Sequence, residues 1–268
     1  MKRGLVQKPL FVYIVAAMQR IAVIIILLLF SFAPGLSFAA GTGELKAVLS
    51  ILEKDYRAFY LDGSVMGSLG VGVAGAGVLA NSSADREVHE YFQDNLRSGA
   101  TDAFSDAARV PGDVLVAIPL LFGTYALAFD PAVKSWAGDS LRALFVGAPA
   151  GLFIQYATGA SRPEEGGSGW KPFKGNNGLS GHAFVGAVPF ITAAKRQESL
   201  PMKSLFYGLS VLPGLSRMND EKHYLSQVAL GWWLAYLSTG VIENEGRGTS
   251  LRVSPFSEGV GVTLSAVF

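Results

Sequence analysis

Residues 141–158 read LRALFVGAPAGLFIQYAT, a run with a single charge, at Arg142. A helix that is apolar on every side belongs inside a bundle or a bilayer, because water would face hydrocarbon wherever it turned. Val114–Phe129, Ala183–Ala194 and Val228–Ile242 share this character, with a shorter stretch at Leu205–Leu212. Prolines at 119, 149, 189 and 213 are expected to kink or end these helices. None of the segments is expected to reach the ~18 uncharged residues of a free-standing transmembrane helix. The fold class predicted is all-α, a helical bundle of about five or six core helices, lying in or on a membrane. Beyond residue 246, Leu251, Val253, Val260, Val262, Leu264, Ala266 and Phe268 alternate around Pro255 and Gly259. That alternation predicts a short C-terminal β-hairpin over 246–268, capping the bundle.

Upstream, residues 44–61 read as an amphipathic helix with Leu45, Val48, Leu49, Leu52 and Tyr56 on one side. Gly63–Ala80 is rich in small residues and contains Gly70-x-Gly72-x-x-Gly75. The string matches a dinucleotide fingerprint in letters only, since no strand leads into it, and close helix packing accounts for it better. Asn81–Asp106 is the most polar region, with Asp85, Arg86, Glu87, His89, Glu90, Asp94 and Arg97. It is expected to be a solvated helix and loop, with His89 exposed and without a metal-ligand partner.

Composition narrows the classes. Of 268 residues half are hydrophobic and only 16% charged, against about 25% on average. The length suits one large domain, and the net charge of +1 gives no support for nucleic acid as a partner. With no cysteine there is neither a disulfide framework nor a thiolate metal site. The apolar run Ile21–Phe30 follows Arg20 and precedes Pro34 and Ser37-Phe38-Ala39. Residues 1–39 therefore read as a signal peptide cut before Ala40, with Met18 as the working start, or alternatively as an uncleaved anchor. The helical domain is expected over 40–245, exported to the cell envelope and periplasmic or membrane-associated.

Three stretches combine into one chemistry: Arg162-Pro163, Ser180-Gly181-His182, and Ser216-Arg217 with His223 six positions after the arginine. Two of the chain's three histidines fall in this set. Guanidinium forks grip tetrahedral oxyanions. A serine and a glycine opening a helix leave backbone N–H groups for the same anion. Two imidazoles can divide the roles of nucleophile and general acid. Arg162-Pro163 is expected to end the helix that starts near Leu141. Ser180 is placed as an N-cap with His182 in the first turn, and His223 shares a helix face with Gln227. Separate surface arginines and buried histidines would explain any one stretch, but not all three in order.

That order and spacing resemble the type 2 phosphatidic acid phosphatase superfamily, which includes bacterial non-specific acid phosphatases and vanadium haloperoxidases. The family signature is Lys-x6-Arg-Pro, Pro-Ser-Gly-His and Ser-Arg-x5-His-x3-Asp. This chain has Gln155-x6-Arg162-Pro163, Leu179-Ser180-Gly181-His182 and Ser216-Arg217-x5-His223-x3-Gln227. The resemblance implies that His223 attacks phosphorus and that His182 protonates the leaving oxygen. It implies too that Arg162, Arg217, Ser180 and Gly181 hold the phosphoryl oxygens, with no metal or organic cofactor. Partners implied are a phosphorylated small molecule or lipid, and a membrane. Gln155 stands in place of a lysine and Gln227 in place of the aspartate that orients the nucleophile. Loss of one charge-assisted hydrogen bond weakens transition-state binding roughly ten- to a hundredfold. Lys171 and Lys174 precede Ser180 and are candidates to replace the lost charge; Asp220 or Glu221 would orient His223 only if the loop folds back.

Three functional expectations follow. The first is a phosphatase acting on phosphomonoesters or pyrophosphates, lipid-linked ones foremost. The second is a catalytically weak or inactive relative with a phosphate-binding or structural envelope role. The third is a vanadate-dependent haloperoxidase, which the missing lysine disfavours. N-terminal sequencing of the exported protein is expected to start at Ala40, and a mature chain that retains Ile21–Phe30 would make the segment an anchor.

Overall fold

A computed structural model describes the chain as a helical body over residues 42–247, with side chains described for 49–244. Two compact units divide at Lys54: Met1–Lys54 and Asp55–Phe268. In chain order come α1 (Thr42–Tyr60), α2 (Gly63–Ala80), α3 (Ala84–Asn95), α4 (Gly99–Ala108) and α5 (Val114–Leu127). They are followed by α6 (Pro131–Thr158), α7 (Gly181–Lys195), α8 (Leu200–Asn219) and α9 (Leu225–Arg247). Short 3₁₀ turns lie at Val110–Gly112 and Pro163–Glu165. The fold is all-α, as expected, with nine α-helices in total among the described residues. The hairpin expected over 246–268 has no support in this body, and the signal segment lies within residues 1–41, outside the described residues.

The longest core helix, α6, begins ten residues before the expected start at Leu141. Asp130 caps it, its carboxylate accepting from the N–H groups of Ala132 at 2.7 Å and Val133 at 3.4 Å, and Pro131 takes the first helical position. Two charges in its first half, Asp139 and Arg142, are paired with neighbouring residues. Arg142 binds Asp55 through two nitrogens, at 2.6 and 2.8 Å, and Asp139 at 3.1 Å, while Arg196 also pairs with Asp139. Nor does Arg162-Pro163 end this helix. Gly159 does so, at φ 58°, with its N–H on the Gln155 carbonyl oxygen at 3.1 Å. A Cβ on Gly159 would collide with the Lys171 carbonyl oxygen, so both the left-handed backbone and the close loop demand glycine.

The four prolines lie inside α5, α6, α7 and α8 and end none of them. Side-chain donors also bond the carbonyl oxygens of two of these prolines: Trp136 Nε1 donates to Pro189 O at 2.8 Å and Ser216 Oγ to Pro213 O at 2.8 Å. Apolar length is also greater than the segments suggested. Three described helices are long and apolar enough to cross a membrane: Gly63–Ala80, a stretch within Pro131–Glu165, and Leu225–Asn244. The pair Gly99–Gly112 and Val114–Leu127, bent by 56°, makes a fourth if counted together. Val71, Val78, Leu115 and Leu127 stand 71, 70, 82 and 75% exposed. Outward apolar faces of this kind suit hydrocarbon surroundings better than water.

Glycine sets how closely the helices meet. Gly147 and Gly151 of α6 lie against Phe184 of α7 and Leu234 of α9. Gly72 of α2 lies under the Trp233 ring, whose Nε1 donates to Ser68 O at 2.9 Å. The glycine string 70–75 thus serves close packing at Gly72, whereas a Cβ on Gly70 or Gly75 would meet nothing within 4 Å. Two residues of the polar region differ from expectation. Asp85 is fully buried and accepts from the backbone N–H of Ser226 at 2.9 Å and from its hydroxyl, capping α9 from another helix. His89 is half-buried, its ring edge-on to Tyr224 at 5.5 Å.

The tightest junction joins α9 to the start of α7. A Cβ on Gly231 would collide with the Ser180 carbonyl oxygen and approach Ala183 Cβ to 3.1 Å. Gly231→Ala is therefore expected to destabilise the fold by about 2 kcal/mol despite alanine's better helix propensity, read by denaturant or thermal unfolding.

Candidate active site

The turn between α8 and α9 brings Arg217 and His223 together. The backbone N–H groups of Lys222 and His223 both donate to the Arg217 carbonyl oxygen, at 2.9 and 3.2 Å. Closing the turn puts Glu221 at φ 57°, a conformation uncommon outside glycine. Glu221 is pinned from outside by Arg97, at 2.6 Å, and Lys222 by Glu164, at 2.7 Å. Glu221 therefore plays no part in orienting the histidine.

Gln227 does that work. Its Oε1 lies 2.7 Å from His223 Nδ1 and accepts the Tyr224 N–H at 3.2 Å, while its Nε2 donates to Ser161 O at 2.8 Å. A carbonyl on one side and an N–H on the other fix which end of the amide is which. Oε1 can only accept, so His223 must carry its proton on Nδ1, leaving Nε2 with a bare lone pair. The same residue's backbone carbonyl accepts from Ser180 N at 2.9 Å. Fully buried Gln227 thus touches all three stretches: His223, the residue before Arg162, and Ser180.

His182 and His223 differ in surroundings. His223 is 8% exposed. Burial lowers its pKa to about 4, with Arg217, Arg162 and His182 adding to the fall and the Gln227 bond opposing it. His182, half-buried, is lowered by burial first, then by Arg217, Arg109 and Arg162, against an upward pull from Asp113. Arg217 lies near Arg109 and Arg162 as well. Arg217 and Arg162 act on both histidines, and the bonds of Gln227 to His223, Ser161 and Ser180 tie the three stretches at one junction.

Ser180 is the N-cap expected: its Oγ accepts from Ala183 N at 3.3 Å and its carbonyl from Phe184 N at 3.1 Å. These bonds leave the first N–H groups of α7, at Gly181 and His182, without a helical acceptor. Gln155 sits beside them, its Nε2 donating to Leu179 O at 2.9 Å and lying 3.7 Å from where a Gly181 Cβ would be. Arg162 Nε donates to Asn177 Oδ1 at 3.2 Å, and a second nitrogen approaches Glu164 at 3.6 Å. Arg217, 11% exposed, donates to Asp220 Oδ2 at 2.9 Å. Asp220 therefore partners the arginine rather than His223. Lys171 and Lys174 are exposed and are not among the charges acting on either histidine. The two charges that sequence reasoning missed, Arg109 and Asp113, flank the Val110–Gly112 turn, where no motif marks them. No group of three metal-ligating side chains occurs among the described residues.

An apolar groove of about 480 Å³ opens beside this cluster, lined by Ala76, Ala183, Leu225, Val228 and Trp233 among others. Ala183 and Leu225 are one and two residues from the two histidines. No protein family, curated protein or solved structure matches the chain.

His223 is expected to remain neutral with its proton on Nδ1 at pH 7 and to titrate near 4, read from imidazole nitrogen shifts by NMR. Its depressed value means that unfolding takes up a proton between about 6.5 and 4, so stability should fall as pH drops through that window. A titration near 6.5 would remove the buried, Gln227-held ring.

Proposed function

We propose that this chain is a divergent member of the type 2 phosphatidic acid phosphatase superfamily, a cell-envelope hydrolase of phosphomonoesters or pyrophosphates. What supports the reading above all is the meeting of Arg162, His182 and Arg217 around a neutral His223 whose Nε2 is free to attack. The apolar groove beside Ala183 and Leu225 supports a lipid-linked substrate, its phosphate at the histidines and its chain among the helices. Export through a signal peptide and a C-terminal hairpin over 246–268 capping the bundle belong to the same proposal.

In this mechanism His223 Nε2 forms a bond to phosphorus as the bond to the leaving oxygen breaks, and His182 gives that oxygen its proton. Arg162, Arg217 and the N–H groups of Gly181 and His182 hold the phosphoryl oxygens as charge builds. Water then attacks the phosphohistidine, His182 takes the water's proton, and the P–N bond breaks to release inorganic phosphate. The phosphorylated ring is cationic, and neutral Gln227 holds its Nδ1–H without balancing that charge. This favours slow turnover, and a catalytically weak or silent phosphate-binding relative is the second reading.

Purified protein is assayed on phosphatidate, undecaprenyl pyrophosphate and a chromogenic ester. His223→Ala should lower the rate about a thousandfold or more. The free enzyme should prefer acid: activity rises as His223 deprotonates near 4 and falls as His182, lowered below 6.5, loses its proton. Equal rates for native and His223→Ala protein on all substrates would overturn catalysis at this site. Activity that appears only in Gln155→Lys with Gln227→Asp would establish the silent relative.

A further inference from the structure

The phosphate cradle proposed above lacks the cation that a lysine at position 155 would supply, and the neighbouring lysines do not replace it. One basic residue outside the three stretches is placed to do so. Helix α4 is held on one side by Ser105, whose hydroxyl donates to Asp220 Oδ1 at 2.6 Å and also reaches Ser216 O at 3.1 Å. Asp220 is the carboxylate that pairs with Arg217. On the other side, the 3₁₀ turn that follows α4 presses on the general-acid candidate. A Cβ on Gly112 would lie 2.6 Å from His182 O and 3.0 Å from His182 Cβ. Arg109 stands between these two anchors, four residues after Ser105 and three before Gly112. Its N–H donates to Ser105 O at 2.9 Å and its carbonyl accepts from Gly112 N at 2.9 Å.

The backbone at Arg109 is thus fixed at both ends against Arg217's partner and against His182. Its side chain is half-exposed. Its Nε pairs with Asp106 at 3.3 Å, a contact between two exposed groups. Such a pair is weak and readily exchanged, and the two terminal nitrogens make no other hydrogen bond among the described residues. Both His182 and Arg217 register its charge.

We infer that Arg109 is the third phosphate-gripping cation of this site, reaching the anion from the rim between His182 and Arg217 and taking the place of the charge absent at Gln155. The inference rests on the phosphate-handling reading of the site. Its ligand is the phosphoryl group itself, whether on a lipid or a soluble ester. A guanidinium on the rim contacts the anion's outward oxygens while Arg162 and Arg217 hold the others, so three cations meet the anion from three different elements.

The test measures binding of orthovanadate and inorganic phosphate by calorimetry to the whole chain and four variants. Arg109→Gln should bind about tenfold more weakly, and the deficit should shrink at high salt because the group is exposed. Arg109→Lys should retain most of the affinity. Adding Gln155→Lys to Arg109→Gln should restore it, since a lysine there would lie beside Gly181. Arg162→Ala distinguishes a failure of the whole site from a failure of Arg109 alone. Loss of binding in Arg162→Ala with native affinity in Arg109→Gln would overturn the role of Arg109 and leave the site reading standing. A deficit in Arg109→Gln that Gln155→Lys leaves unrepaired would overturn the substitution of one cation for the other. Native protein that binds neither anion would overturn the site reading and this inference with it. Arg109→Gln changes only an exposed side chain, and unaltered helical circular dichroism confirms that the comparison concerns binding.

Discussion

One buried amide holds this site together. Gln227 uses both ends of its side chain and its backbone carbonyl to bind His223, Tyr224, Ser161 and Ser180, reaching up to 66 residues back along the chain. An aspartate in its place could hold the imidazole, but has no N–H to donate to the Ser161 carbonyl. The glutamine therefore trades charge for connection: it loses the ability to balance an imidazolium and gains a tie to the loop that carries Arg162. An unsatisfied buried carbonyl costs about 1–3 kcal/mol, so the tie contributes to stability as well as to geometry. Orientation of the ring and position of the arginine loop are consequently not separable properties here.

Around that amide, the architecture works through helix ends. Arg217 closes α8, the Ser180–His182 stretch opens α7, His223 and Gln227 flank the start of α9, and Arg162 lies just past α6. Two helix N-termini, at α7 and α9, point their partial positive charge into the junction. Asp85 meets one of them at Ser226 as a buried cap. The other, at Gly181, keeps its N–H groups for an external acceptor. The glycines at 112 and 231 let these ends come within contact distance, since a single methyl at either would strike the backbone of the Ser180–His182 stretch.

Much of this was legible in the sequence, in particular the residues where local rules and long-range packing agree. Ser180 is an N-cap by residue type and by structure, and the four-residue spacing of His223 and Gln227 does place them in contact. The misreadings share a cause. Asp85 reads as solvent-facing for its charge, and Asp139 and Arg142 carry no signal of burial or partner along the chain. Each finds its partner on a different helix, at Ser226, Arg196 and Asp55. Arg109 was invisible for the same reason: its relevance comes from Ser105 and Gly112 docking on other elements, which no spacing along the chain encodes. The end of α6 was misplaced because a proline at 163 is a louder stop signal than Gly159, which also answers to the loop at Lys171.

The convergence of four helix ends has a thermodynamic corollary. No disulfide braces the chain, so these ends are kept in register only by side-chain ties and close packing. An anion seated among them would act as a clasp, present in the folded chain and meaningless to the unfolded one. By mass action its occupancy would raise the melting temperature of the entire bundle, and do so in proportion to the logarithm of its concentration once the site is filled.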